Sequence, residues 1–211
     1  MKQILCFGDS NTYGLIPKEG GRYPWGIRWT SILNEKLGLG NYRVIEEGLC
    51  GRTTIFEDPL REGRCGIRML PVILETHSPI DIVVVMLGTN DCKSIYGTNS
   101  DLIEEGIHKI ISRIHACAEK SKILLISPIH LGNDVWKDEY DPEFSCESIA
   151  ISKELASVFS KVCEKESIYF LDASSYAKPS DADQEHLDEE GHRLLAEVIF
   201  HKISEIEENA D

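Results

Sequence analysis

Five short apolar runs, at residues 4–7, 42–45, 82–87, 123–126 and 168–171, are separated by longer stretches whose apolar residues recur three or four apart. The runs have the length of strands. The third, Ile82-Val83-Val84-Val85-Met86-Leu87, is apolar without alternation, the pattern of a parallel strand covered on both faces. Ile103, Ile107, Ile110, Ile111 and Ile114 place one stripe on a helix after Asp101. Leu194, Leu195, Val198, Ile199, Ile203 and Ile206 form a similar stripe near the C-terminus, with Asp188 as the N-cap. Weaker helical patterns cover residues 26–38 and 147–165, and a helix over residues 68–75 must accommodate Pro71. Strand and helix alternating five times predicts βα units. The expectation is an α/β fold, a parallel sheet between helices, in one domain over residues 1–211.

Sheets of this kind bind ligands beyond the C-terminal ends of their strands, so the residues after each run matter most. The first run leads into Gly8-Asp9-Ser10-Asn11, the second into residues 46–54 with Cys50, Gly51 and Arg52, and the third into Gly88-Thr89-Asn90-Asp91. The fourth leads into Ser127-Pro128-Ile129-His130, and the fifth, further on, into Asp183-Gln184-Glu185-His186. These residue types suit acyl transfer. A serine hydroxyl needs a base to take its proton, histidine titrates in the right range, and a carboxylate on the other ring nitrogen fixes its tautomer. Asp183 and His186, three apart, can meet within one turn. An oxyanion needs fixed donors, which the Gly51 N–H and the Asn90 amide could supply. Each feature alone is weak, since a serine in a turn is usually only a turn former. Their conjunction, in order and at successive strand ends, carries the reading.

Gly8-Asp9-Ser10, Gly51, Gly88-Thr89-Asn90-Asp91 and Asp183-x-x-His186 resemble the four blocks of the SGNH or GDSL-type serine hydrolases. The stretches "RWTSIL", "GLCGRTTIFEDPL" and "MLGTNDCK" are similar to the arylesterase and acyltransferase (perhydrolase) branch. The resemblance runs over roughly residues 3–200. It implies a three-layer α/β/α sandwich around a five-stranded parallel sheet of flavodoxin-like type. It further implies Ser10 as nucleophile, His186 as base and Asp183 as its orienting acid, with Ser10 N–H, Gly51 N–H and the Asn90 side chain as the oxyanion hole. The substrate is then a small-molecule ester with a short acyl group such as acetyl, and relatives of this branch assemble into homo-oligomers. Two positions depart from the branch: Cys50 stands where serine is common, and Tyr13 where tryptophan often occurs. The pocket is expected to draw on Asp9, Asn11, Tyr13, Trp25, Cys50 and His130, with Arg28 and Trp29 near its entrance. Asp9 and Asp91 are weighed more heavily as carboxylates that hold loops through backbone hydrogen bonds. His192, the rival to His186, is read as a helix-surface residue. Residues 12–27 and 130–146 are the loops expected to size the pocket.

Composition narrows the function classes. A net charge of −14 without a basic cluster argues against nucleic acid as a partner. Seven scattered cysteines, none in a C-x-x-C pair, fit free thiols in a reducing compartment. Only four apolar residues precede Gly8, and no stretch approaches the ~18 a membrane span needs, so a cytoplasmic location without a membrane partner is expected. No metal motif, P-loop or G-x-G-x-x-G appears, so neither metal nor cofactor is expected. A G-x-S-x-G elbow is absent, which argues against the α/β-hydrolase version of the chemistry. The competing readings are a deacetylase of acetylated sugars, a non-catalytic carbohydrate- or protein-binding module, and thiol acyl transfer through Cys50.

Overall fold

The computed structural model describes residues 1–209. Five parallel strands form one sheet: β1 (Lys2–Gly8), β2 (Tyr42–Gly48), β3 (Ile82–Met86), β4 (Lys122–Ser127) and β5 (Tyr169–Asp172), in the order β2-β1-β3-β4-β5. The helices are α1 (Ser10–Tyr13), α2 (Trp29–Leu37), α3 (Gly66–His77), α4 (Ser100–Cys117), α5 (Cys146–Glu166) and α6 (Glu189–Glu208).

Alternation along the strands divides the core in two. Ile4 and Cys6 of β1, Ile82, Val84 and Met86 of β3, and Leu124 and Ile126 of β4 face Trp29 and Leu33 of α2 and Leu195, Ile199 and Ile203 of α6. Leu5, Phe7, Val83, Val85, Ile123 and Leu125 face Leu70 and Leu74 of α3, the isoleucine stripe of α4, and Leu155 and Phe159 of α5. The result is the three-layer α/β/α sandwich. Strands buried on both faces are what the unbroken apolar runs anticipate.

The elements begin and end close to their expected positions, with differences that have local causes. Asn99 Oδ1 accepts the Leu102 N–H at 2.9 Å, so α4 starts at Ser100, before Asp101. Asp188 caps α6 as expected, accepting the Gly191 N–H at 2.8 Å. Ser145 and Ser148 cap α5 reciprocally. Helix α1 was not legible, since four residues are too few for a period. No helix of the described residues is long and apolar enough to cross a membrane.

Candidate active site

The register brings three loops to one level. Gly8 is paired with Gly48 on one side and Met86 on the other, so β1, β2 and β3 release their chains side by side. The loop after β2 folds back over β1: the Gly8 carbonyl accepts the Leu49 N–H at 3.1 Å and Arg52 Nη1 at 2.8 Å. The Arg52 guanidinium also bonds the Glu47 carbonyl and lies 4.2 Å from the Phe7 ring centroid. Its own carbonyl accepts Asn90 Nδ2 at 3.2 Å, which orients the Asn90 amide. Asp91 accepts the Thr54 N–H and hydroxyl, joining the second and third loops again. Burial of that carboxylate raises its pKa to about 6.

Ser10 opens α1, and only 3 % of its surface is exposed. Its Oγ lies 2.9 Å from His186 Nε2, and His186 Nδ1 lies 2.8 Å from Asp183 Oδ2. Asp183 is held firmly. Its Oδ1 accepts the N–H groups of Glu185 (3.1 Å) and His186 (2.9 Å), and its Oδ2 also accepts the Lys18 N–H at 3.2 Å. Burial would raise the Asp183 pKa, but these bonds and the His186 charge lower it on balance. The N–H groups of Ser10 and Gly51 meet no protein acceptor among the described residues. Gly51 has φ +82°, a left-handed conformation that glycine adopts without strain.

The three hydrogen-bonded residues are those that the motifs name, and the residues expected to line the pocket lie around them rather than on the cleft that reaches His186. The cleft reaching His186 has a volume of about 250 Å³ and is lined by Leu15, Ile16, Lys18, Gly20, Tyr140, Asp141, Asp183, Glu185 and His186. None of the six expected pocket residues lines it, and neither do Ser10, Gly51 and Asn90. Asn11 is a fastener: its Oδ1 accepts the Leu187 N–H at 2.9 Å and its Nδ2 donates to the Glu185 carbonyl at 3.4 Å. Asp9 accepts the Asn11 N–H at 3.0 Å, and burial raises its pKa to about 7, although that bond and His186 oppose the rise. Tyr13 is covered by the Arg22 guanidinium, 4.7 Å from its ring centroid. The Trp25 indole donates to Glu35 Oε1 at 2.6 Å on α2, with the residue 51 % exposed. His130 lines a separate hollow with Asn133, Lys153 and Gln184. Cys50 keeps its thiol, because burial and the Asp9 charge raise its pKa, an environment unsuited to a thiolate nucleophile.

The supposed entrance residues are also interior. Arg28 bonds the Tyr23 carbonyl at 2.6 Å and pairs with Glu46 at 2.8 Å, while the Trp29 indole donates to the Asn11 carbonyl at 3.1 Å. His192 corrects the surface assignment, for it is fully buried. Helix α2 has no side-chain cap of its own, and His192 Nδ1 accepts the orphan Trp29 N–H at 3.3 Å. A cap supplied from another helix leaves no trace in local sequence. Two of the three segments that line the cleft belong to the loops expected to size it, and the third carries Asp183, Glu185 and His186; which residues face inward depends on how the loops fold. Among the described residues no group of three His, Cys, Asp or Glu side chains could hold a metal ion.

Known proteins share this architecture. A carbohydrate acetylesterase from Sinorhizobium meliloti is 33 % identical, with TM-score 0.89 over 98 % of this chain and 100 % of its own. An aryl esterase from M. smegmatis is 32 % identical, with TM-score 0.89 over 97 % and 99 %. A putative arylesterase from Agrobacterium tumefaciens str. C58 is 31 % identical, with TM-score 0.89 over 98 % and 100 %. No curated protein matches the chain. The family model of the GDSL-like lipase/acylhydrolases matches residues 6–194, a span that begins within β1 and takes in Ser10, Gly51, Asn90, Asp183 and His186. The chain therefore belongs to the GDSL-like lipase/acylhydrolase family.

Proposed function

We propose that this protein is a serine esterase that cleaves short-chain carboxylic esters, such as acetyl esters, through an acyl-enzyme on Ser10. The observation that carries the reading is the hydrogen-bonded row Ser10–His186–Asp183. Ser10 Oγ attacks the acyl carbon while its proton passes to His186 Nε2, and Asp183 steadies the imidazolium through Nδ1. The negative carbonyl oxygen is received by the N–H groups of Ser10 and Gly51 and by the Asn90 amide. The bond to the alcohol oxygen then breaks, and His186 returns its proton to that oxygen. Water attacks the acyl-serine with His186 again as base, releasing the acid and restoring the Ser10 hydroxyl. A sugar hydroxyl or peroxide in place of water would make the same site an acyltransferase.

A phosphonate serine probe tests the assignment directly. It should label Ser10, and Ser10→Ala should lower kcat on p-nitrophenyl acetate by about four to six orders of magnitude. Robust turnover by that variant would overturn the mechanism.

Deacetylation of sugars is the second reading, favoured by the similar carbohydrate acetylesterase and by the polar Tyr140, Asp141 and Glu185 in the cleft. A panel of acetylated sugars against acyl-chain length separates it from simple aryl-ester hydrolysis. Two further parts of the reading are a reducing, cytoplasmic setting, supported by seven free cysteines, and homo-oligomeric assembly. Light scattering on the purified protein tests the latter.

A further inference from the structure

The base has a neighbour that the mechanism does not use. Glu185 is 6 % exposed, yet among the described residues its carboxylate accepts no hydrogen bond. Its backbone is fixed at both ends: the N–H bonds Asp183 Oδ1, and the carbonyl accepts the Asn11 amide. Glu185 lines the cleft, and its Oε1 stands 3.6 Å from His186 Nε2, the nitrogen that also faces Ser10 Oγ. Protonated His186 is the cation that faces it, while Lys93 is bonded to Glu143 and lies 3.5 Å from Asp141 Oδ2, so it is already shared. Lys18, also on the cleft, has an exposed side chain where water screens it.

The position of that oxygen determines what it can meet. His186 Nε2 must approach the departing alcohol oxygen to protonate it, so an atom 3.6 Å from Nε2 borders the alcohol half of the ester. A buried carboxylate without a donor is costly, and the His186 charge offsets that cost only while the imidazole is protonated. Once His186 is neutral, as the base must be, the cost is relieved by any bound group that offers positive charge. An anionic group in the same place would face uncompensated repulsion in a weakly screened setting. We propose that Glu185 is a specificity determinant that selects esters by the charge of their alcohol portion, favouring cationic alcohols and rejecting anionic ones. This rests on the esterase reading and goes beyond it by assigning the alcohol side of the site.

The test compares two aryl acetates of similar shape, meta-(trimethylammonio)phenyl acetate and meta-acetoxybenzoate, on the full-length protein. Each kcat/KM is divided by the ester's rate of hydroxide hydrolysis, which removes intrinsic reactivity. The wild type should favour the cation by about tenfold or more. Glu185→Gln should reduce that preference by about tenfold, and Glu185→Asp should retain most of it. Parity in the wild type overturns the proposal without needing any variant. So does a preference that survives in Glu185→Gln, because the net charge of −14 would then be its source. An exposed control, Glu190→Gln, should leave the ratio unchanged; an equal drop there would also overturn it. Failure of the esterase reading is distinguishable: it would appear as p-nitrophenyl acetate turnover that persists in Ser10→Ala, whatever the charge ratio.

Discussion

Burial alone would drive the imidazole of His186 toward its neutral form, but Glu185, Asp183 and Asp9 outweigh it and raise the pKa to about 9. In the proposed mechanism His186 must be neutral to accept the Ser10 proton. The kcat/KM profile for a neutral ester should therefore rise with pH through a limb near 9, well above histidine's ordinary range. Glu185→Gln removes one of the raising charges, so its limb should lie at lower pH; a limb that stays in place would count against this electrostatic account. His192 behaves oppositely. Burial first, then Arg28 and His186, lower its pKa to about 3. The unfolded chain binds its proton below about 6.5 and the folded one does not, so its contribution to stability is lost as pH falls toward 3. His192→Asn, which does not titrate, should melt below the wild type at pH 7, and the gap should narrow as pH falls to about 4. Thermal melts across that range decide it. Ser10, Asp183 and His186 were legible because their chemistry demands those types in that order. Glu185 and His192 were not, because one needed the cleft's shape and the other its partner helix.

Helix α1 sits so close to the sheet that glycine is required beneath it. A Cβ on Gly48 would fall on the backbone of Thr12 and Tyr13, which cannot swing aside as a side chain could. Gly48→Ala should shift α1 and with it the Ser10 hydroxyl. We expect kcat on p-nitrophenyl acetate to fall by about 100-fold although residue 48 is no part of the reacting row. A variant that stays folded by circular dichroism with unchanged kcat would show that α1 can relocate without consequence. The strands and long helices were legible because two-sided burial and amphipathic stripes leave strong periodic signals. Helix α1 and the loops that close the cleft lack periods, and their structure is set by bonds between distant segments, such as Leu187 N–H to Asn11.

Across the whole molecule, stability should grade from the sheet's middle to its edges. Every residue of β3 is buried and the strand lies at the centre of the order, whereas three of the four residues of edge strand β5 are only partly buried. Hydrogen–deuterium exchange should be slowest in β3 and in the buried stretch of β1, with β5 opening earlier. Equal protection across all five strands would contradict that gradient. The alternating βα pattern anticipated the layers, whereas the order β2-β1-β3-β4-β5 depended on how the crossovers pack. That order places the loops carrying Ser10, Gly51 and Asn90 on adjacent strands.

The bond from the Trp29 indole to the Asn11 carbonyl gives the protein a built-in optical probe. Of its three tryptophans, Trp29 is fully buried, while Trp25 and Trp136 are 51 % and 41 % exposed. Acrylamide should quench the latter two and leave a blue-shifted emission from Trp29, one residue removed through its hydrogen bond from Ser10, the proposed nucleophile. Its intensity can then follow acyl-enzyme formation and breakdown in stopped flow, using natural esters that carry no chromophore.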